Sequence, residues 1–251
     1  MILALNSSSA RRVAAFGLAA LLVAGCTAVP NVTPTPSPTL LPSVPPTTPA
    51  FTLGPTESPS PFGCPTSAPA ALSGTATVTM TTNFGNIVIK VDGSLGPNAA
   101  GAFVALSRCG YYNNVLFHRI VPGFVIQGGD GQYARLPNDE PNKMGTGGPG
   151  WTIPDDKVTT TYKRGTIAMA RTANANSGNS QFFIVLADSA ASTLGASAAN
   201  NYAIFGNVTS GLDVVDRIVR VPLGGEPGSD GSAASMPLEP VVITSTIVTT
   251  P

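Results

Sequence analysis

The chain has 251 residues with 13 basic and 13 acidic groups, one histidine and three cysteines. So balanced a charge offers no basic face for a nucleic acid. The one histidine and three cysteines lie too far apart in sequence for the paired spacing of a zinc site, and a serine triad would rest on that single imidazole.

Residues 1–25 read as an export signal. Arg11 and Arg12 give a positive start, Val13 to Ala24 form an apolar run too short for a stable membrane span, and Gly25 precedes Cys26. Leu22-Val23-Ala24-Gly25-Cys26 resembles a bacterial lipobox, which implies cleavage before Cys26 and lipidation of that cysteine, a lipid anchor on the extracytoplasmic side of the cell membrane. An ordinary cleaved signal and an uncleaved anchor are the alternatives. Loss of Arg11 and Arg12 leaves 11 basic against 13 acidic groups.

Residues 26–72 hold thirteen of the 24 prolines, and Glu57 is the one charge between Val13 and Leu72. So few large apolar side chains cannot offset the entropy of ordering, and the prolines favour an extended spacer. This is a disordered stalk on the lipid anchor. The folded domain is expected at 73–251.

Within the domain, Thr75 to Thr82 alternates with a period of two and is followed by Asn83-Phe84-Gly85-Asn86 and Ile87 to Val91, a hairpin pattern. Pro97-Asn98 then opens a helix with Ala99, Ala102, Phe103 and Leu106 on one face, ending near Arg108 and Gly110. Short strands follow at Leu116 to Ile120, Val125 to Gly128, Thr166 to Ala170, Phe182 to Leu186 and Ala203 to Phe205. A second helix fits Leu212 to Val219, and Pro240 to Val248 closes the domain as a strand. The pattern is mainly β, and a closed barrel removes the free edges of so many short antiparallel strands.

The stretch Phe117 to Asp130 carries the chemistry. It sets Arg119, Phe124 and Gln127 within nine residues, around a Pro122-Gly123 turn. This run resembles the cyclophilin family of peptidyl-prolyl cis-trans isomerases, as do Ile167 to Thr172, Asn179 to Val185, Tyr202 to Gly206 and Gly145-Thr146-Gly147-Gly148 in the family's order. The resemblance implies a closed eight-stranded antiparallel cyclophilin-like barrel capped by two α-helices. It makes Arg119 the catalytic arginine, Phe124 a ring of the proline pocket and Gln127 the amide that holds the substrate backbone. Val125, Met169, Phe183 and Leu194 match the rest of the pocket. Ala170, Arg171 and Gln181 match the groove for residues before the proline, and Tyr202 a rim aromatic. Where well-known members carry a rim tryptophan, this chain offers Thr193.

Such chemistry needs no cofactor, because the ~18–20 kcal/mol barrier comes from amide resonance and no bond breaks. In the twisted transition state the prolyl nitrogen regains its lone pair, and a permanent cation binds it better than the planar ground state. The implied partners are proline-containing polypeptides in exported proteins, with the membrane reached through the lipid and a monomer as the working unit. A proline-peptide binding or holdase module with little turnover is the alternative from another class.

Other features have plainer readings. Strict alternation sends His118 inward if Arg119 faces the groove, as a hydrogen-bonded structural imidazole. Phe182, Ile184 and Leu186 read as core, with Gln181 and Phe183 on the other face. Gly145 to Gly150 lacks the Lys-Ser or Lys-Thr of a phosphate loop and reads as a turn-rich structural loop. Asp155 and Asp156 read as a solvated turn. Cys64 and Cys109 either bridge the stalk's end to the barrel or leave Cys109 as a small buried residue. Gly131 to Met144, with Tyr133, Arg135, Asp139 and Glu140, and Gly195 to Asn200 read as insertions that shape partner choice. Asn31 and Asn207 sit in glycosylation patterns that carry little meaning in a bacterium.

Overall fold

The computed structural model describes residues 63–137, 140–195, 202–224 and 235–250. The export signal, Cys26, Asp139 and most of the 195–200 insertion lie outside the described residues. Among the described residues no helix is long and apolar enough to cross a membrane.

Eight strands close into an antiparallel barrel. In chain order the strands are β1 (Thr75–Thr82), β2 (Gly85–Asp92), β3 (Val115–Val121), β4 (Val125–Gly128), β5 (Thr166–Met169), β6 (Phe182–Val185) and β7 (Ile204–Ser210). Next come β8 (Leu223–Gly224), β9 (Met236–Pro237) and β10 (Val242–Thr249). The barrel order is β1-β10-β3-β4-β6-β5-β7-β2, while β8 and β9 form a separate two-stranded ribbon that sequence reading missed. The helices are α1 (Pro97–Arg108), α2 (Ala191–Leu194) and α3 (Leu212–Ile218). α1 and α3 are the two expected helices, and α2 is a single additional turn.

The period-two pattern of β1 buries Ala76, Val78, Met80 and Thr82 on one face. Helical spacing places Phe103 and Leu106 of α1 and Val214, Val215 and Ile218 of α3 in the same interior cluster. The Phe103 ring lies 5.2 Å from Phe182 and 5.0 Å from Phe205, so α1 is keyed into the barrel by aromatic contacts.

Asp156 overturns the solvated-turn reading. It is buried, and its carboxylate accepts from the backbone N–H groups of Asn98 and Ala99 and from the Asn98 side chain. Gly96 has no side chain to cap α1, so a carboxylate 57 residues away in sequence satisfies the orphan donors and meets the helix's positive end. Nothing local to Asp155-Asp156 announces this.

Cys64 and Cys109 form a disulfide with Cα atoms 5.1 Å apart. The preceding expectation grouped Gly63 to Leu72 with the stalk. Here that segment lies along the barrel, where Pro65 O accepts from Trp151 Nε1 and Leu72 N donates to Pro97 O.

Candidate active site

β3 carries Arg119, and a β-bulge sets its direction. Phe117 pairs with Gly128 and Arg119 with Gln127, so His118 is the extra residue. Strict alternation from Phe117, which lies in the interior cluster, would send Arg119 inside. The bulge shifts the phase, so Ile120 enters the interior and Arg119 turns to the outer face. His118 therefore does not enter the barrel as expected. It sits at a cavity wall beside Arg119, under Gly145. Its ring is buried and neither nitrogen makes a hydrogen bond of good geometry, although the Leu116 backbone lies within its reach, so the expected hydrogen-bonded imidazole is at most weakly held. Burial pulls its pKa down to about 4; the Asp130 charge and the Leu116 backbone oppose that shift and the Arg119 charge assists it.

Across the outer face, Arg119 stands opposite Gln127 and Gln127 opposite Phe183. One row on three adjacent strands thus sets a cation, an amide and an aromatic ring side by side. Next to this row lies a second apolar cluster, separate from the barrel interior, made of Val125, Ala168, Phe183, Val185, Leu194 and Ile204, with Phe124, Ala170 and Tyr202 packed against it. Phe124 reaches the cluster because Gly123 adopts a left-handed φ of 75° and turns the chain after β3. The Phe183 and Tyr202 rings meet edge to face at 5.3 Å. Tyr162 fixes Tyr202, its hydroxyl donating to Tyr202 O at 2.8 Å and accepting from Tyr202 N at 3.0 Å.

Met169 is the sequence-predicted pocket residue that the structure moves. It pairs with Phe182, and both belong to the interior, whereas Ala168 pairs with Phe183 on the pocket face. Thr166–Met169 is buried throughout, so hydrophobicity marks neither face and only the register separates them.

Gln181 is buried, and its side chain is spent within the protein. Its Nε2 donates to Gly145 O and Gly147 O, both at 2.9 Å, and its Oε1 accepts from Gln127 Nε2 at 3.0 Å. It ties the glycine-rich loop to Gln127. From below, the fully buried Asp130 carboxylate takes the N–H groups of Gly145, Gly147, Gln132 and Tyr133. A Cβ on Gly147 would stand 2.3 Å from Asp130 Oδ1, so only glycine permits this cradle. The Gly145 to Gly150 loop is structural, as read.

The groove beyond Gln127 is lined by Ala170, Arg171, Thr172, Asn179 and the Gly145-Thr146-Gly147 backbone, around a cavity of about 260 Å³. The Arg171 guanidinium lies 5.9 Å from the Tyr202 ring centroid, and its Nε is 3.9 Å from Asp155. At the other end, Thr193 lines a cavity of about 330 Å³ with Phe124 and Ser189, where an indole donor is missing. In the 131–144 insertion, Arg135 is turned inward and donates to the carbonyls of Gly131, Asn113 and Tyr111, so it shapes the loop.

Sequence reasoning missed Asp130, Tyr162 and the tying role of Gln181. The Asp130-Gly131 pair before a glycine-rich loop was a usable signal, but the partners of Tyr162 and Gln181 are set by tertiary contact.

A family model described as cyclophilin type peptidyl-prolyl cis-trans isomerase/CLD matches residues 77–248. The peptidyl-prolyl cis-trans isomerase of Acinetobacter baylyi is 38% identical over 176 residues, covering 70% of this chain and 86% of its own length. Peptidyl-prolyl cis-trans isomerase A of Dickeya dadantii is 35% identical over 175 residues, covering 70% and 85%. A cyclophilin type isomerase of Cryptosporidium parvum, crystallised in the presence of the dipeptide Ala-Pro, superposes with a TM-score of 0.53 at 27% identity, over 70% of this chain and 99% of that one.

Proposed function

The chain belongs to the cyclophilin-type peptidyl-prolyl cis-trans isomerases, and from that premise we propose that Arg119, Phe124 and Gln127 perform the rotation in proteins exported from the cell. The observation that carries this reading is the row Arg119, Gln127, Phe183 beside an apolar cluster on the barrel's outer face.

The prolyl ring enters the slot of Phe124, Val125, Phe183 and Leu194, which removes water and lowers the local dielectric. Gln127, held by Gln181, donates to the backbone of the bound segment and fixes one end while the other turns. Arg119 then donates to the imide nitrogen as its lone pair returns. The strand pairing of Arg119 with Gln127 sets where the arginine leaves the barrel wall, beside the amide that holds the substrate. Residues before the proline lie along Ala170 and Arg171, with Tyr202 at the rim. Met169 and the Gln181 amide act from behind this surface.

The signal and lipobox residues support an anchored form, with Cys26 lipidated, residues 26–72 as spacer and clients outside the cytoplasmic membrane. Mass spectrometry of the mature N-terminus tests the anchor: a diacylated or triacylated Cys26 is expected, and an unmodified new N-terminus elsewhere refutes it. NMR exchange spectroscopy on a panel of Xaa-Pro peptides tests the catalysis. Accelerated exchange is expected; peptides that titrate into the groove while keeping their solution exchange rate would instead support the holdase alternative.

A further inference from the structure

We propose that His118, Met144 and Met236 form a binding site for a soft monovalent cation, copper(I) in chemical class. Two cavities, of about 290 and about 90 Å³, adjoin His118. The larger opens beside Arg119 and Gln127, and the smaller lies against Leu116 and Pro240. Three residues line both: His118, Met144 and Met236. They come from three separate segments, the β3 bulge, the end of the 3₁₀ turn Pro141–Lys143, and β9. Their shared position between the voids brings them together.

The imidazole supplies an independent sign of a ligand. It is 8% exposed, and neither Nδ1 nor Nε2 makes a hydrogen bond of good geometry, although the Leu116 backbone lies within its reach. Buried polar groups are seldom left so, because an unmade hydrogen bond costs about 1–3 kcal/mol. Gly145 packs over Nε2, where a Cβ would stand 3.2 Å from it, so any larger residue there would crowd that nitrogen.

The donor set selects the ion. Calcium and magnesium require oxygen ligands, and zinc sites are built from thiolate, imidazole and carboxylate. Among the described residues no group of three His, Cys, Asp or Glu is placed to hold a metal. One imidazole with two thioethers suits copper(I) and its analogue silver(I). The Arg119 charge at the larger cavity disfavours a divalent ion more than a monovalent one. The imidazole and thioether lone pairs coordinate the ion already in its monovalent state, so binding changes no oxidation state.

His118 is the chain's single histidine, which makes the test direct. Silver(I), a redox-inert probe, is titrated into the ¹³C,¹⁵N-labelled full chain carrying Cys26→Ser, so that this thiol does not compete. The His118 ring resonances and the Met144 and Met236 methyl signals are expected to shift together and saturate at one equivalent. Met144→Leu with Met236→Leu is expected to raise Kd at least tenfold while peptide isomerisation is unchanged. Met236 is 39% exposed, so Met236→Leu alone keeps the fold and is expected to weaken binding as well. A ring signal unmoved by excess silver, or affinity unchanged in the leucine variants, overturns the proposal.

Discussion

Replacing Gln181 with leucine removes the tie between the glycine-rich loop and Gln127 while nearly conserving volume. Three hydrogen bonds are lost, at 3.0, 2.9 and 2.9 Å. At about 1 kcal/mol each, with a further ~1–3 kcal/mol for the buried Gly147 carbonyl left unpaired, the variant should lose about 4–6 kcal/mol of stability. The loop does not unfold, because Asp130 still holds the N–H groups of Gly145 and Gly147. Gln127 is released, however, and substrate binding must then order it. Fixing a glutamine side chain costs up to ~1.5–2 kcal/mol, so kcat/KM should fall roughly tenfold. Gln181→Glu separates the two effects. Its carboxylate still accepts from Gln127 but faces the two loop carbonyls with no donor, so stability falls while Gln127 stays ordered. Urea unfolding and NMR exchange on one Xaa-Pro peptide read both quantities. If Gln181→Leu unfolds within 1 kcal/mol of the native chain and turns over at an unchanged rate, the positioning argument is wrong.

Other outcomes follow from buried groups elsewhere. His118 has a folded pKa of about 4 against 6.5 for the free group, so the unfolded chain takes up the proton first. Its contribution is full above pH 6.5 and is lost as pH falls toward 4, on the order of 3 kcal/mol; His118→Leu should flatten that slope in denaturant titrations. The Cys64–Cys109 bridge spans 45 positions, and chain entropy for such a loop gives about 4 kcal/mol. Reduction should therefore lower Tm by roughly 8–16 °C in calorimetry, and an unmoved Tm contradicts it. Asp130→Asn replaces a carboxylate that accepts four backbone N–H bonds. A loss of more than about 2 kcal/mol is expected, and amide exchange at Gly145 and Gly147 should accelerate.

Much of this architecture is legible in sequence because period and turn chemistry agree locally. β1 and β2 alternate around Asn83-Phe84, and α1 starts at Pro97 and ends before Gly110, as their residues dictate. The two faces of β6 separate as expected, with Phe182 and Ile184 inside and Phe183 outside. What fails is anything that depends on a distant partner. The bulge at His118 changes which side chains point out, and no local pattern reveals it. Met169 and Ala168 are both apolar on a strand buried on both faces, so only the pairing with β6 assigns them. Asp156 looks solvated until α1 is placed against it. Along the proposed catalytic row, Arg119 and Gln127 were identified from sequence, but their direct cross-strand pairing required the bulge.

The proposed catalysis rests on transition-state stabilisation by the outward-turned guanidinium of Arg119. Line-shape analysis of a proline peptide with Arg119→Ala measures it. A loss of about 10²- to 10³-fold in kcat/KM is expected, the effect of removing one charged donor aimed at the transition state, with peptide affinity changed far less. A variant that keeps kcat/KM within threefold of the native chain would contradict it.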